Sequence, residues 1–198
     1  MPKIVDKEKA KKIIADEATN LFANMGYVDF KVEDLAKKCN MSKGSMYNYF
    51  NSKDDIVFFI IQNEQQRYDD EIYQKINNCD TLQEKIFALF SLCILDDNIT
   101  NMRRRIYCEF VKIAMKTKNK QMISTLKNIQ TKYVLWLNDI LVEFTKHNKI
   151  PINNYNLSKG LLAMGESVVM FWDIPAHNHK NMLISFIKEL VKILKEKR

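Results

Sequence analysis

Apolar side chains recur at three- and four-residue spacing along almost the whole chain, and only four glycines and three prolines interrupt its 198 residues. Strands joined by tight hairpins need turn residues at every reversal, so this pattern predicts an all-α fold of about nine helices. Ile14, Ala18, Leu21, Phe22 and Met25 fall on one face of the first helix, and Gly26 is placed to end it. A short helix follows from about Val32 to Cys39, broken at Asn40, a residue type that tolerates positive φ. Ser42 reads as the N-cap of a second short helix reaching about Tyr49. Ser52 with Asp55, and later Thr81 with Glu84, resemble capping boxes that open further helices. The longest seam is Met122, Leu126, Ile129, Tyr133, Trp136 and Ile140, spaced alternately four and three.

Charge narrows the function only through its placement. The formal net charge is +7, but residues 1–60 hold 10 lysines against 9 carboxylates, so most of the excess lies elsewhere. The N-terminal stretch is too polar for a signal peptide, and no apolar run reaches the roughly 18–20 residues of a membrane span, so a cytoplasmic protein is expected. Cys39, Cys79, Cys93 and Cys108 form no C-x-x-C pair and read as reduced thiols. His177 and His179 share a loop without a cysteine or carboxylate cluster, so no metal site and no cofactor is expected. Enzyme readings find no P-loop, no glycine-rich dinucleotide fingerprint, no H-E-x-x-H and no E-x-x-H pair of a di-iron bundle.

The informative stretch is KVEDLAKKCNMSKGSMYNYFNSK, Lys31 to Lys53. Two short helices around a turn at residues 39–41 match helix-turn-helix geometry, and Leu35, Ala36, Met41 and Met46 let the helices cross closely. The second helix opens Ser42-Lys43-Gly44-Ser45, where backbone N–H groups point at a phosphate and Gly44 lets the backbone approach it. Tyr47, Asn48 and Tyr49 follow, placed to reach base edges, thymine methyls or phosphates, and Lys53 is placed to hold the phosphate backbone.

The run resembles the signature of the TetR family of transcriptional regulators: an apolar first helix ending Gly-Tyr, then V-x-D-L-A, a turn, S-K-G-S-x-Y-x-Y-F and S-K. The resemblance covers residues 14–56 and implies a DNA-binding domain over 1–54 and a helical ligand-sensing and dimerisation domain over 55–198. The expected DNA-contact set is Lys31, Val32, Ser42, Lys43, Gly44, Ser45, Tyr47, Asn48, Tyr49 and Lys53. Three positions depart from the signature. Asn40 replaces the usual Gly, Cys39 the usual Ala, and Lys31 the usual capping Thr or Ser.

The same resemblance implies a homodimer on double-stranded operator DNA, released by a small-molecule inducer of unknown identity, with no membrane partner. A helix apolar on nearly all sides, Leu161 to Trp172, beside an amphipathic terminal helix supports a dimer independently. Val168, Phe171, Trp172, Leu183, Phe186, Leu190 and Leu194 are the interface candidates. Met102, Ile106, Tyr107, Glu109, Phe110, Tyr133, Trp136 and Met164 are the ligand candidates, with Glu109 a charge complement for a cationic ligand or an edge carboxylate paired with Arg105 or Lys112. A ligand-independent regulator or activator, and a helical protein-interaction module without DNA binding, are the alternatives.

Overall fold

The computed structural model describes residues 7–148, 150–174 and 178–196, and these form ten helices with no strand among the described residues. They run α1 (Lys7–Asp29), α2 (Val32–Lys38), α3 (Lys43–Met46), α4 (Lys53–Asn77), α5 (Leu82–Leu89), α6 (Ser91–Ile94), α7 (Asn98–Thr117), α8 (Lys120–Asn148), α9 (Asn154–Met170) and α10 (His179–Glu196). No helix among the described residues is long and apolar enough to cross a membrane. His177, singled out in the sequence, lies outside the described residues.

The helix boundaries follow local chemistry. Gly26 adopts φ 69° and ψ 179°, breaking α1 one turn before its end. Asn40 takes φ 52° in the turn after α2, as its side-chain type allows. Ser42 caps α3 by accepting the Ser45 N–H at 3.0 Å. Ser52 accepts the Asp55 N–H at the start of α4, but the Asp55 carboxylate reaches back to Asn51 rather than to Ser52. Thr81 and Glu84 make a full reciprocal capping box on α5.

The chain divides into two compact units. The first takes residues up to 68 together with 98–122, so α7 belongs to the same unit as the helix-turn-helix. In it α1 lies along α7, and Phe22, Phe30, Leu35, Met46, Ile56, Ile60 and Phe110 are fully buried. Phe22 meets Phe30 edge-on at 5.9 Å. An ionic chain ties its helices: Arg67 pairs with Asp16 and Glu64, and Arg103 of α7 approaches the same Glu64 at 3.8 Å.

The second unit takes residues 69–97 and 123 onward, with α5, α6, α9 and α10 packed together. Gly165 of α9 is placed so tightly that an added Cβ would stand 2.6 Å from the Phe90 ring. The buried Asp69 is held by the Tyr133 hydroxyl at 2.9 Å and by Lys132 at 2.5 Å, joining the end of α4 to α8. Glu166, half-buried on α9, accepts from Gln130 at 2.7 Å.

Candidate nucleic-acid interface

The helix-turn-helix is assembled from its buried side. Val32, Leu35 and Ala36 of α2, Met46 of α3 and Phe50 beyond it are all buried, and Phe50 meets Phe59 edge-on at 5.7 Å. The turn is closed by backbone bonds from Cys39 N–H to Leu35, Asn40 N–H to Lys37 and Met41 N–H to Ala36. Burial pushes the Cys39 thiol above its ordinary range, which keeps it away from the reactive thiolate form.

What remains outside is Ser42, Lys43, Gly44, Tyr47 and Asn48, all exposed, with Ser45 and Tyr49 half-buried. Tyr47 keeps 45 % of its surface accessible, a large area for an aromatic ring without a protein neighbour to cover it. Gly44 is informative because the fold does not require it. A Cβ there would meet only the Ser42 hydroxyl, at 3.8 Å. Packing within the chain does not call for glycine at this position, and the bare backbone lies open to a partner.

Lys31 is exposed at the N-cap of α2 and makes no side-chain cap bond, the consequence expected of its departure from Ser or Thr. Val32 differs from the rest of the set in exposure: its side chain is 6 % exposed because the first turn of α2 faces the core. Lys53 is half-buried and lies along the surface: its ammonium sits 4.4 Å from the Tyr27 ring centre and donates to the Val28 carbonyl at 3.5 Å. Burial lowers its pKa, with Asp54 and Asp29 opposing the shift. Lys43 pairs with Glu33 of α2, which pulls the carboxyl down and the ammonium up from their ordinary values.

Two residues outside the contact set prove to position it. The Tyr27 hydroxyl donates a short hydrogen bond to Asp54 at the start of α4, which, with burial, raises the phenol to about 12. Tyr rather than Phe at an apolar anchor was the available signal, since a half-buried phenol needs a partner. The Tyr27 N–H donates to Glu109 of α7 at 3.1 Å, a pairing that no local spacing reveals.

The remaining candidates are placed as follows. Met102, Ile106, Tyr107, Glu109 and Phe110 belong to the first unit, with Ile106 and Phe110 buried. Tyr133, Trp136 and Met164 belong to the second, where the Trp136 ring lies 5.4 Å from Tyr133 and 6.4 Å from Tyr73. Glu109 is occupied by Lys112 at 2.9 Å, so of its two expected partners the structure brings Lys112 and adds the Tyr27 N–H. Of the interface candidates, Val168, Leu183 and Leu194 are buried within the chain itself. Phe171 and Phe186 are exposed, and Trp172 and Leu190 are half-buried.

A capped, exposed recognition helix held across a buried partner by a tight turn defines a DNA-binding helix-turn-helix. Residues 14–58 match the family model described as bacterial regulatory proteins, tetR family. Over these residues, its N-terminal quarter, the chain is similar to that family of DNA-binding transcriptional regulators. It is similar to the HTH-type transcriptional regulator HbdR of Aromatoleum sp. (strain CIB), 32 % identical over 97 residues. That stretch is 48 % of this chain and only 42 % of the relative's length. A fatty acid metabolism regulator protein of Bacillus subtilis (strain 168) is 24 % identical over 141 residues, 69 % of each chain. Among solved structures, a protein described as a transcriptional regulator from Saccharomonospora viridis, crystallised with choline, superposes with TM-score 0.79. It is 13 % identical, over 93 % of this chain and 96 % of the other, a likeness of fold.

Proposed function

We propose that the chain is a dimeric transcriptional repressor of the cytoplasm that binds a palindromic operator and leaves it when a small molecule binds. The observation that carries the DNA-binding part is the exposed Ser42–Asn48 segment, with a glycine at its centre that the fold itself does not need. Two recognition helices spaced about 34–36 Å apart would enter successive major grooves. Lys31, Ser42, Lys43, Ser45, Tyr49 and Lys53 would hold phosphates or flank the bases, with Tyr47 and Asn48 reading base edges.

The ligand half of the reading draws on relatives. One neighbour was crystallised with choline and one relative is named for fatty acid metabolism, so a quaternary ammonium and a long acyl chain are the chemistries to compare. The half-buried Trp136 ring suits the first through cation–π contact, while the buried apolar Ile106 and Phe110 suit the second. A ligand can act only by binding one of the two conformations more tightly than the other.

The test is selection of bound duplexes from a random pool with the full chain. A recovered inverted repeat, bound in a strongly salt-dependent way, is the expected result. Failure to enrich any duplex would leave the interaction-module reading in its place. Thermal melts with choline and with a long-chain acyl compound then separate the ligand classes, because a ligand of the folded state raises Tm with concentration.

A further inference from the structure

We propose that Glu33 is an affinity-limiting residue of the DNA interface: in the free protein its carboxylate occupies the Lys43 ammonium, so a phosphate must displace it. The inference rests on the DNA-binding reading above and adds a residue that the motif does not single out. Glu33 lies on the exposed side of α2 and Lys43 begins α3, ten positions later, so the pair spans the turn of the helix-turn-helix. Both side chains are about half accessible, at 48 % and 51 %, so neither is held there by burial and both can rotate away.

Exposed ion pairs are weak and screened by salt, whereas a DNA phosphate offers the same ammonium an oxyanion set in a high local field. Displacement is therefore feasible, but it has two costs. The Lys43–Glu33 contact is lost, and a carboxylate is left beside the phosphate backbone. Both costs fall on phosphate contact, which carries no sequence information. Glu33 thus lowers binding to arbitrary DNA, while base contacts from Tyr47 and Asn48 are untouched. The surroundings give the effect weight. Lys37 pairs with Asp34 and Lys38 with Glu17, and residues 1–60 carry a balance of only +1. With so little excess charge in this part of the chain, the engagement of a single lysine changes the electrostatic attraction appreciably.

The experiment is a double-mutant cycle on the full chain: wild type, Glu33→Gln, Lys43→Ala and the double variant. Each is titrated with a labelled duplex of arbitrary sequence between about 50 and 200 mM salt. Thermal melts confirm that each variant is folded. Glu33→Gln is expected to bind about two- to fivefold tighter at the low-salt end. The gain should shrink as salt rises and be clearly smaller in the Lys43→Ala background, where only the repulsion between carboxylate and phosphate remains. No gain from Glu33→Gln, with Lys43→Ala still weakening binding, overturns the inference and leaves the DNA-binding reading intact. Equal gain in both backgrounds also overturns it, since Glu33 would then repel DNA without acting through Lys43. If Lys43→Ala binds like wild type, Lys43 contacts no phosphate and the inference falls with that assignment. If wild type binds no duplex, the DNA-binding reading itself falls.

Discussion

The Glu109 carboxylate of α7 accepts the backbone N–H of Tyr27 at 3.1 Å, joining residues 82 positions apart at the break in α1. Gly26, just before, takes positive φ, and a side chain there would stand 3.2 Å from the same carboxylate. Helix α7 therefore secures the end of α1, and through the Tyr27 hydroxyl and Asp54 the start of α4, around one residue. The junction therefore couples α7 to both helices that flank the helix-turn-helix.

Glu109→Gln should thus destabilise the first unit rather than act only on a ligand. Burial raises the carboxyl's pKa, but Lys112 and the Tyr27 N–H outweigh it, so the net shift is downward. A carboxyl whose folded pKa is depressed contributes stability above its ordinary unfolded value and loses it as pH falls through the folded one. The expected cost is about 1 kcal/mol near neutral pH, allowing for partial exposure, and it should vanish in acid below the carboxylate range. Denaturant melts of both proteins across that range measure it, and a pH-independent difference would show that charge plays no part.

Asn40→Gly should be neutral or slightly stabilising, and Asn40→Val should cost on the order of 1 kcal/mol or more. The reason is the φ of 52°, which a β-branched side chain resists. Equal midpoints for the two variants in urea would place residue 40 outside the left-handed region in solution.

Gly44→Ala should leave stability unchanged or raise it by up to about 1 kcal/mol, because the position has room and helical backbone. The same change should weaken binding to a selected operator, since the methyl would stand where the backbone meets DNA. Stability and affinity moving together would remove the argument that this glycine serves the ligand side of the surface.

Local chemistry made the helix-turn-helix legible in the sequence. Gly26, Asn40, Ser42 and the Thr81–Glu84 box each act within a few residues, and the buried stripe of Leu35, Ala36 and Met46 follows helical period. What stayed hidden is long-range. Glu33 with Lys43, Glu109 with Tyr27, and Asp69 with Lys132 and Tyr133 are separated by 10 to 82 positions, and no spacing rule links them. The burial of Val32 was equally hidden, because a residue opening a helix of the motif can face either way, and only packing decides. The terminal helix poses a related question. It is apolar on two stripes, and periodicity alone does not say which one turns inward.

The terminal helix gives the last prediction. On α10 the stripe Leu183, Ile187, Val191 and Leu194 is buried within the chain, while Met182, Phe186 and Ile193 stand 62 %, 44 % and 50 % exposed. Phe171, itself exposed after α9, stacks on His179 with ring centres 5.9 Å apart, so the exposed apolar surface continues from one helix to the next. Apolar area of this kind is what an interface between two copies would cover. Charge at Phe186 or Ile193 should therefore yield a folded monomer, and operator affinity should fall steeply because one half-site contributes too little alone. Leu194→Glu should instead lower stability by several kcal/mol, since it buries an unpaired charge in the chain's own core. Sedimentation at micromolar concentration together with a thermal melt separates the two outcomes. If Phe186→Glu and Ile193→Glu both sediment as wild type does, this face is not the one that joins the copies. If Leu194→Glu gives a stable monomer, the stripes are reversed and the partner covers the side assigned here to the core.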